Sequence, residues 1–149
     1  KRPRPTAMAP PALLWECMRK SSCFIRRPTK DMKPFSAEPC NLLGYHAFKF
    51  SGLAAQEAID LRPVKAGDKE SINLIQSHSK PSHQRRPRSA FSKLGVSKCA
   101  RKGLETLDIE LNAKYYRRSA HNLVRLKYFK ILKSFKKKRT IVKSRRANK

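Results

Sequence analysis

Hydrophobic and polar positions follow two different periods along this chain, and the change from one to the other divides it. From residue 23 to residue 76 the apolar runs are short, alternate with polar positions and are separated by Pro, Gly and Ser, the pattern of strands buried on one face. Cys23-Phe24-Ile25-Arg26-Arg27 reads as a short strand, Pro28 to Pro34 as a turn containing Asp31, and Phe35-Ser36-Ala37 as the next strand. Tyr45 to Phe50 is expected to be another, because Phe48 and Phe50 fall on one side and Lys49 on the other, and Ser51-Gly52 breaks it. Ala58 to Val64 follows, then the turn signal Ala66-Gly67-Asp68-Lys69, then Ser71 to Gln76 with Ile72, Leu74 and Ile75. An antiparallel meander is the expected result.

Helical spacing flanks these strands. Pro11 suits the first position of a helix, and Leu14, Trp15 and Met18 lie on neighbouring faces of Ala12 to Lys20 before Ser21-Ser22 ends it. Beyond the strands, Val96, Ala100, Gly103, Leu104, Leu107 and Leu111 share one narrow arc, and Arg101 and Glu105 form an i,i+4 pair outside it. A second helix is expected from Tyr116 to Phe135: Tyr116, Ala120, Leu123, Val124, Tyr128, Ile131 and Phe135 occupy one arc, with Arg118, Arg125, Lys130, Lys133 and Lys136 opposite. The fold class is therefore α+β, a small antiparallel sheet with an N-terminal helix, followed by two C-terminal helices and basic tails. Five segments are expected: a Pro-rich basic arm over 1–10, an α+β domain over 11–76, a basic loop over 77–95, a helical segment over 96–135 and a basic tail over 136–149.

Charge changes the picture more than any motif does. Lys and Arg number 36 against 10 Asp and Glu, a formal net charge of +26. Leu111 to Lys149 holds 15 basic residues and no acidic one. Such a chain repels itself, and a polyanion that releases its counterions on binding supplies the missing stability and the affinity together. Charges interrupt every apolar run well short of the ~20 residues that span a bilayer, so no transmembrane helix is expected. The basic start, Lys1 to Pro5, is not followed by an apolar stretch of signal-peptide length, and its prolines oppose an amphipathic targeting helix.

Catalytic signatures are missing: no P-loop, GxGxxG, HExxH or Ser-centred elbow occurs, and the chain has five glycines. His46, His78, His83 and His121 are dispersed, with no carboxylate expected to orient any of them. His78 and His83 read as polar loop residues near a phosphate backbone and His121 as a helix flank. Neither enzyme activity nor a cofactor is expected. Cys17, Cys23, Cys40 and Cys99 read as reduced thiols; Cys17, Cys23, Cys40 and His46 are the zinc alternative, although five residues inside each end pair exceed the usual two to four. Phe24, Phe48 and Phe50 are assigned to core packing rather than to base stacking, Trp15 to a core anchor, and Phe129 to the basic side of the second helix, where it meets a base or a neighbouring protein.

The candidate nucleic-acid contacts are the exposed cations. Arg26, Arg27 and Lys49 belong to the strand region, and Lys80, Arg85, Arg86 and Arg88 to the loop, where Arg85-Arg86-Pro87-Arg88 also fits a nuclear localisation signal. Lys98, Arg101 and Lys102 open the first C-terminal helix; Arg118, Arg125, Lys130 and Lys133 line the second; Lys136, Lys137, Lys138, Arg139, Arg145 and Arg146 belong to the tail.

Leu14-Trp15-Glu16-Cys17-Met18-Arg19-Lys20-Ser21-Ser22-Cys23-Phe24 resembles the opening of the eukaryotic large-subunit ribosomal protein 28 family, a Trp-bearing helix running into a Ser and Phe segment. Phe35-Ser36-Ala37-Glu38-Pro39-Cys40-Asn41-Leu42 is similar to that family's aromatic-Ser-x-Glu-Pro-x-Asn-Leu stretch, and Phe48-Lys49-Phe50-Ser51-Gly52-Leu53 to its aromatic-Arg-Tyr-Asn-Gly-Leu stretch. The middle, Ala54 to Gln76, keeps only a strand pattern, and the end follows the family in architecture more than in residues. Residues 1–10, the prolines around Met32, and Glu105, Asp108 and Glu110 depart from the pattern.

The resemblance implies an α+β protein on the solvent side of the cytosolic large ribosomal subunit. It would contact large-subunit ribosomal RNA and neighbouring ribosomal proteins, pass through the nucleolus during assembly, and have no membrane or small-molecule partner. Nucleolar assembly factors of the Mak16 kind share the N-terminal domain and are the alternative; they carry long acidic C-terminal regions, whereas residues 136–149 here are basic. A DNA-binding or chromatin protein is the third reading, disfavoured because no dimeric or repeated recognition unit is evident.

Overall fold

A computed structural model describes residues 9–67, 69–78 and 80–135. Helix α1 spans Pro11–Arg19, with proline at a position whose N–H would have no partner in any case. It buries no residue fully. Trp15 holds it instead by lying 4.9 Å from the His46 ring and 6.0 Å from the Phe48 ring, while His46 Nε2 sits 2.9 Å from the Arg19 carbonyl. Trp15 thus anchors the helix to a loop and lies outside the core, contrary to expectation.

Strands β1 (Ile25–Arg26) and β2 (Phe35–Ser36) pair antiparallel. Of the strand expected over Tyr45 to Phe50, only Tyr45 bridges to Phe35, and Phe48–Phe50 is a 3-10 turn. The chain turns there because Ser51 and Gly52 are drawn onto a buried carboxylate: Glu38 Oε2 accepts from the Ser51 hydroxyl at 2.7 Å and from the Gly52 N–H at 3.1 Å. A Cβ on Gly52 would lie 1.8 Å from the Pro39 carbonyl oxygen, so only glycine permits this approach. Asn41 completes the knot, donating to the Tyr45 carbonyl at 2.9 Å and accepting from the Gly44 N–H at 2.8 Å.

The main sheet is the meander β3 (Ile59–Ala66), β4 (Lys69–Ser77) and β5 (Phe91–Val96), in that order. Ala66 faces Lys69 across a two-residue turn, which Gly67 enters with φ +59°. Pro63 is accommodated because β3 is an edge strand. Strand β5 corrects the expectation of a loop over 77–95. Its one fully buried residue, Val96, has the spacing of a first helical position, yet it pairs with Ile72. The second edge of β4 requires partners for its N–H and C=O groups, and that backbone demand outweighs the weak side-chain pattern. The stretch before β5 is also ordered by local bonds: α2 (Pro81–Gln84) forms, Gln84 Nε2 donates to the His78 carbonyl at 2.6 Å, and the His78 and His83 rings stack at 4.2 Å.

Helix α3 (Ala100–Asp108) runs on into a π-helical turn, Ile109–Ala113. After a connection with positive φ at Tyr115 and Arg117, the 3-10 turn Arg118–Ala120 leads into α4 (His121–Phe135). The core lies between the sheet and these two helices. Ile59, Leu61, Ile72, Leu74 and Val96 meet Leu107, Leu111, Val124, Tyr128 and Ile131 in one cluster, each large side chain contributing roughly 1.5–3 kcal/mol. The apolar arcs read from the two helices are the faces that pack. On the opposite face of the sheet Ile75, with Cys40 and Ala58, forms a second, smaller cluster against Phe91. The architecture is the expected α+β, and its main core joins the 11–76 and 96–135 segments in one layered unit.

Candidate nucleic-acid interface

Some cations of this chain are structural, and they must be separated from those that face solvent. Asp60 is 2% exposed. Its carboxylate accepts from the Leu61 N–H at 2.8 Å, from Arg62 Nε at 3.0 Å and from Lys127 Nζ at 2.5 Å, and Lys127 also donates to the Leu42 carbonyl at 2.7 Å. Lys127 was overlooked as a structural residue, although its position three after Val124 and four before Ile131 places it on the packed side of α4. Arg117 has the same role without any sequence signal, and beside it Tyr116, on the packed arc as expected, adds a long-range hydrogen bond. The Tyr116 hydroxyl donates to the Ala58 carbonyl at 3.0 Å, and Arg117 donates to the Glu57 carbonyl at 2.5 Å, together clamping the helical half onto the start of β3. Burial raises the Tyr116 pKa and lowers that of Arg117. No local period signals such long-range bonds.

The remaining cations lie outside. Arg26, Arg27 and Lys49 are exposed around the small N-terminal sheet. Lys80, Arg85, Arg86 and Arg88 are exposed along the segment between β4 and β5. Lys98 sits between Glu70, at 3.9 Å, and the Phe135 ring, whose centroid is 5.3 Å away, so it links the start of α3 to the end of α4. Arg101 pairs with Glu105 at 3.4 Å, and Lys102 is exposed beside it. Arg118 lies over the Tyr115 ring at 5.3 Å. On α4, Lys130 and Lys133 are exposed, whereas Arg125 is half-buried. Leu126 and Phe129 share the solvent side with the two lysines, as expected of Phe129. Lys136, Lys137, Lys138, Arg139, Arg145 and Arg146 lie outside the described residues.

The few carboxylates do little to offset this surface. Glu16, Asp60, Glu70, Glu105 and Glu110 each pair with a Lys or Arg. Such pairs add little stability where they are exposed. The acidic residues that depart from the family pattern have local partners: Glu105 has Arg101, Glu110 has Lys114 at 2.6 Å, and Asp108 lies 2.6 Å from His121 Nε2. The last contact corrects the expectation that no histidine has a carboxylate beside it. It spans 13 residues of sequence and ties the start of α4 to the end of α3.

Cys40 is buried, its thiol donates to the Ile75 carbonyl at 3.5 Å, and burial pushes its pKa up to about 12. Cys17, Cys23 and Cys99 are exposed. Cys40 faces the sheet while His46 faces Trp15 and Arg19, so the four residues of the zinc alternative are not brought together. Among the described residues no group of three or more His, Cys, Asp or Glu is placed to hold a metal. A groove of about 760 Å³ between the start of α1, residues 52–57 and Phe91 has Glu57 as its one ionisable lining residue among the described residues.

Fold and surface together define a small basic α+β protein, with one core shared by a meander and two helices and with cations distributed over the outside of both halves. The description "Ribosomal L28e protein family" matches residues 13–144, and the chain belongs to that family. The residues that carried the resemblance at Glu38, Asn41 and Gly52 are those that knot the loops under the small sheet. The chain is similar to the large ribosomal subunit protein eL28 of Caenorhabditis elegans, 39% identical over 56 residues that cover 38% of this chain and 44% of the relative. It is also similar to the large ribosomal subunit protein eL28 of Dictyostelium discoideum, 29% identical over 89 residues that cover 60% of this chain and 65% of the relative. The matched stretches thus span less than two thirds of either relative.

Proposed function

We propose that this protein is a structural constituent of the cytosolic large ribosomal subunit, binding ribosomal RNA through its exposed cations and supporting translation without catalysis of its own. The observation that carries the reading is the family match over residues 13–144 in a chain of net charge +26. Arg26, Arg27, Lys49, Lys80, Arg85, Arg86, Arg88, Lys98, Arg101, Lys102, Arg118, Arg125, Lys130 and Lys133 are the proposed phosphate contacts, together with the basic tail. Residues 11–135 are the proposed folded unit, with 1–10 and 136–149 as extensions onto RNA and onto neighbouring ribosomal proteins. Assembly would begin in the nucleolus and end in cytosolic subunits.

Each phosphate contact releases counterions, so affinity falls by about 0.7 to 0.9 log units per contact for each log unit of salt. Sedimentation of the tagged chain through a salt-washed sucrose gradient is the test. Recovery with mature large subunits and polysomes is the expected outcome. Arrest at precursor particles would make the protein an assembly factor instead, and recovery only at the top of the gradient would reject both readings.

A further inference from the structure

The small N-terminal sheet presents a row of side chains that phosphate binding alone does not explain. Arg26 on β1 stands opposite Phe35 on β2, and Phe35 in turn bridges to Tyr45. Directly opposed residues of antiparallel strands share a face, so Arg26, Phe35 and Tyr45 lie side by side, while Ser36, one position on, is buried. Beyond Tyr45 the row continues to Phe50, with ring centroids 6.5 Å apart, and Lys49 Nζ lies 5.9 Å from the centre of the Phe50 ring. The order along the surface is cation, three rings, cation.

These rings are not core. Phe35 is 37% and Tyr45 46% exposed, and neither belongs to the clusters that fill the two faces of the main sheet. Phe50 is half-buried and Phe48 exposed, which overturns the expectation that Phe48 and Phe50 pack inside. The Phe35 and Tyr45 rings are 5.7 Å apart and inclined by only 21°, so they present aromatic faces in nearly one orientation. Charge decides what covers them. From Arg19 to Lys49 the chain has seven basic residues against two acidic ones, and one of the acids, Glu38, is buried on Ser51 and Gly52. An apolar protein surface would gain nothing from cations at both ends of the row, whereas a nucleotide brings a flat ring and a phosphate together.

We propose that Arg26, Phe35, Tyr45, Phe50 and Lys49 form a stacking platform for unpaired nucleotides of RNA, the rings taking bases and the two cations the flanking phosphates. The proposal rests on the RNA-binding reading above and narrows it to single strands, because the base faces of a duplex are already covered by their neighbours.

Two probes test it with the full chain: a single-stranded RNA of about eight nucleotides carrying 2-aminopurine, within the usual site size, and a duplex of the same sequence. Binding should quench the 2-aminopurine. Phe35→Leu combined with Tyr45→Leu should lower affinity for the single strand by roughly ten- to a hundredfold and leave duplex affinity unchanged, which also reports an intact fold. Tyr45→Phe, which keeps the ring, should bind as wild type. Arg26→Gln and Lys49→Gln should each reduce the salt slope for the single strand by about 0.7. If the wild type binds RNA but the leucine variant loses nothing, or loses single strand and duplex alike, the platform is wrong and the RNA reading stands. If the leucine variant binds RNA normally yet fails to enter subunits, this face docks a protein and the proposal is overturned. A wild type that binds neither probe would reject the RNA reading itself.

Discussion

Lys127 and Lys133 lie on the same helix and carry the same charge, yet their removal should have opposite consequences. Lys127→Met takes away one of the two cations that hold Asp60, whose carboxylate is 2% exposed, and also the donor to the Leu42 carbonyl. Breaking a buried ion pair from one side costs about 3–5 kcal/mol, because the remaining charge is left in a low-dielectric setting. Arg62 at 3.0 Å and the Leu61 N–H at 2.8 Å stay in place, which puts the loss near the lower end. An orphaned buried carbonyl adds about 1 kcal/mol, for a sum of about 4 kcal/mol. Against a total stability of about 5–15 kcal/mol this lowers the melting temperature by roughly 10–15 °C. Lys133 is exposed, and Lys133→Met should change stability by no more than about 0.5 kcal/mol. Thermal and urea unfolding of the RNA-free proteins, followed by circular dichroism, measures both. Adding Asp60→Asn to Lys127→Met should restore part of the loss, a coupling of about 1–3 kcal/mol in a double-mutant cycle. Equal melting of the two lysine variants, or a cycle with no coupling, would refute the assignment of Lys127 to the core.

Gly103→Ala would normally favour a helix by about 1 kcal/mol. Here the new Cβ would lie 2.0 Å from the Tyr128 hydroxyl and 2.6 Å from the Ser97 carbonyl oxygen, so a net loss of about 1–3 kcal/mol in urea unfolding is expected. Cys40 should resist iodoacetamide at pH 8 while Cys17, Cys23 and Cys99 react, as peptide mass mapping would read; modification of Cys40 without unfolding would contradict its burial. Because its folded pKa is raised from 9.0 to about 12, the native state holds that proton longer than the unfolded chain. Its contribution to stability is complete below pH 9 and is lost as pH rises towards 12, so alkaline unfolding should be shallower at its onset in Cys40→Ala. Arg118, Lys130 and Lys133 changed together to Glu should leave the melting temperature near that of wild type and prevent incorporation into subunits, whereas Ile131→Ala should cost about 2–5 kcal/mol of stability. Normal incorporation of the triple variant would reject this face as an RNA contact.

Local pattern by itself determined a good deal. The helical arcs through Gly103, Leu107 and Leu111 and through Val124, Tyr128 and Ile131 are the packed faces, because a period of 3.6 residues is imposed by the helix itself and needs no partner to be read. The hairpin at Gly67 was legible for the same reason, its turn chemistry being local. Family membership was legible from Glu38, Asn41 and Gly52, although their physical task was not. Tertiary structure decided the rest. Strand β5 exists because β4 has an edge to satisfy, and Phe48–Phe50 turns because Glu38 is waiting for Ser51 and Gly52. The division of the cations into structural and exposed was likewise decided across long separations. Lys127 meets Asp60 67 residues away, and Arg117 meets Glu57 60 residues away. A basic residue looks the same in a sequence whether its charge faces a buried carboxylate or water, and only the packing that removes water from one of them makes the difference.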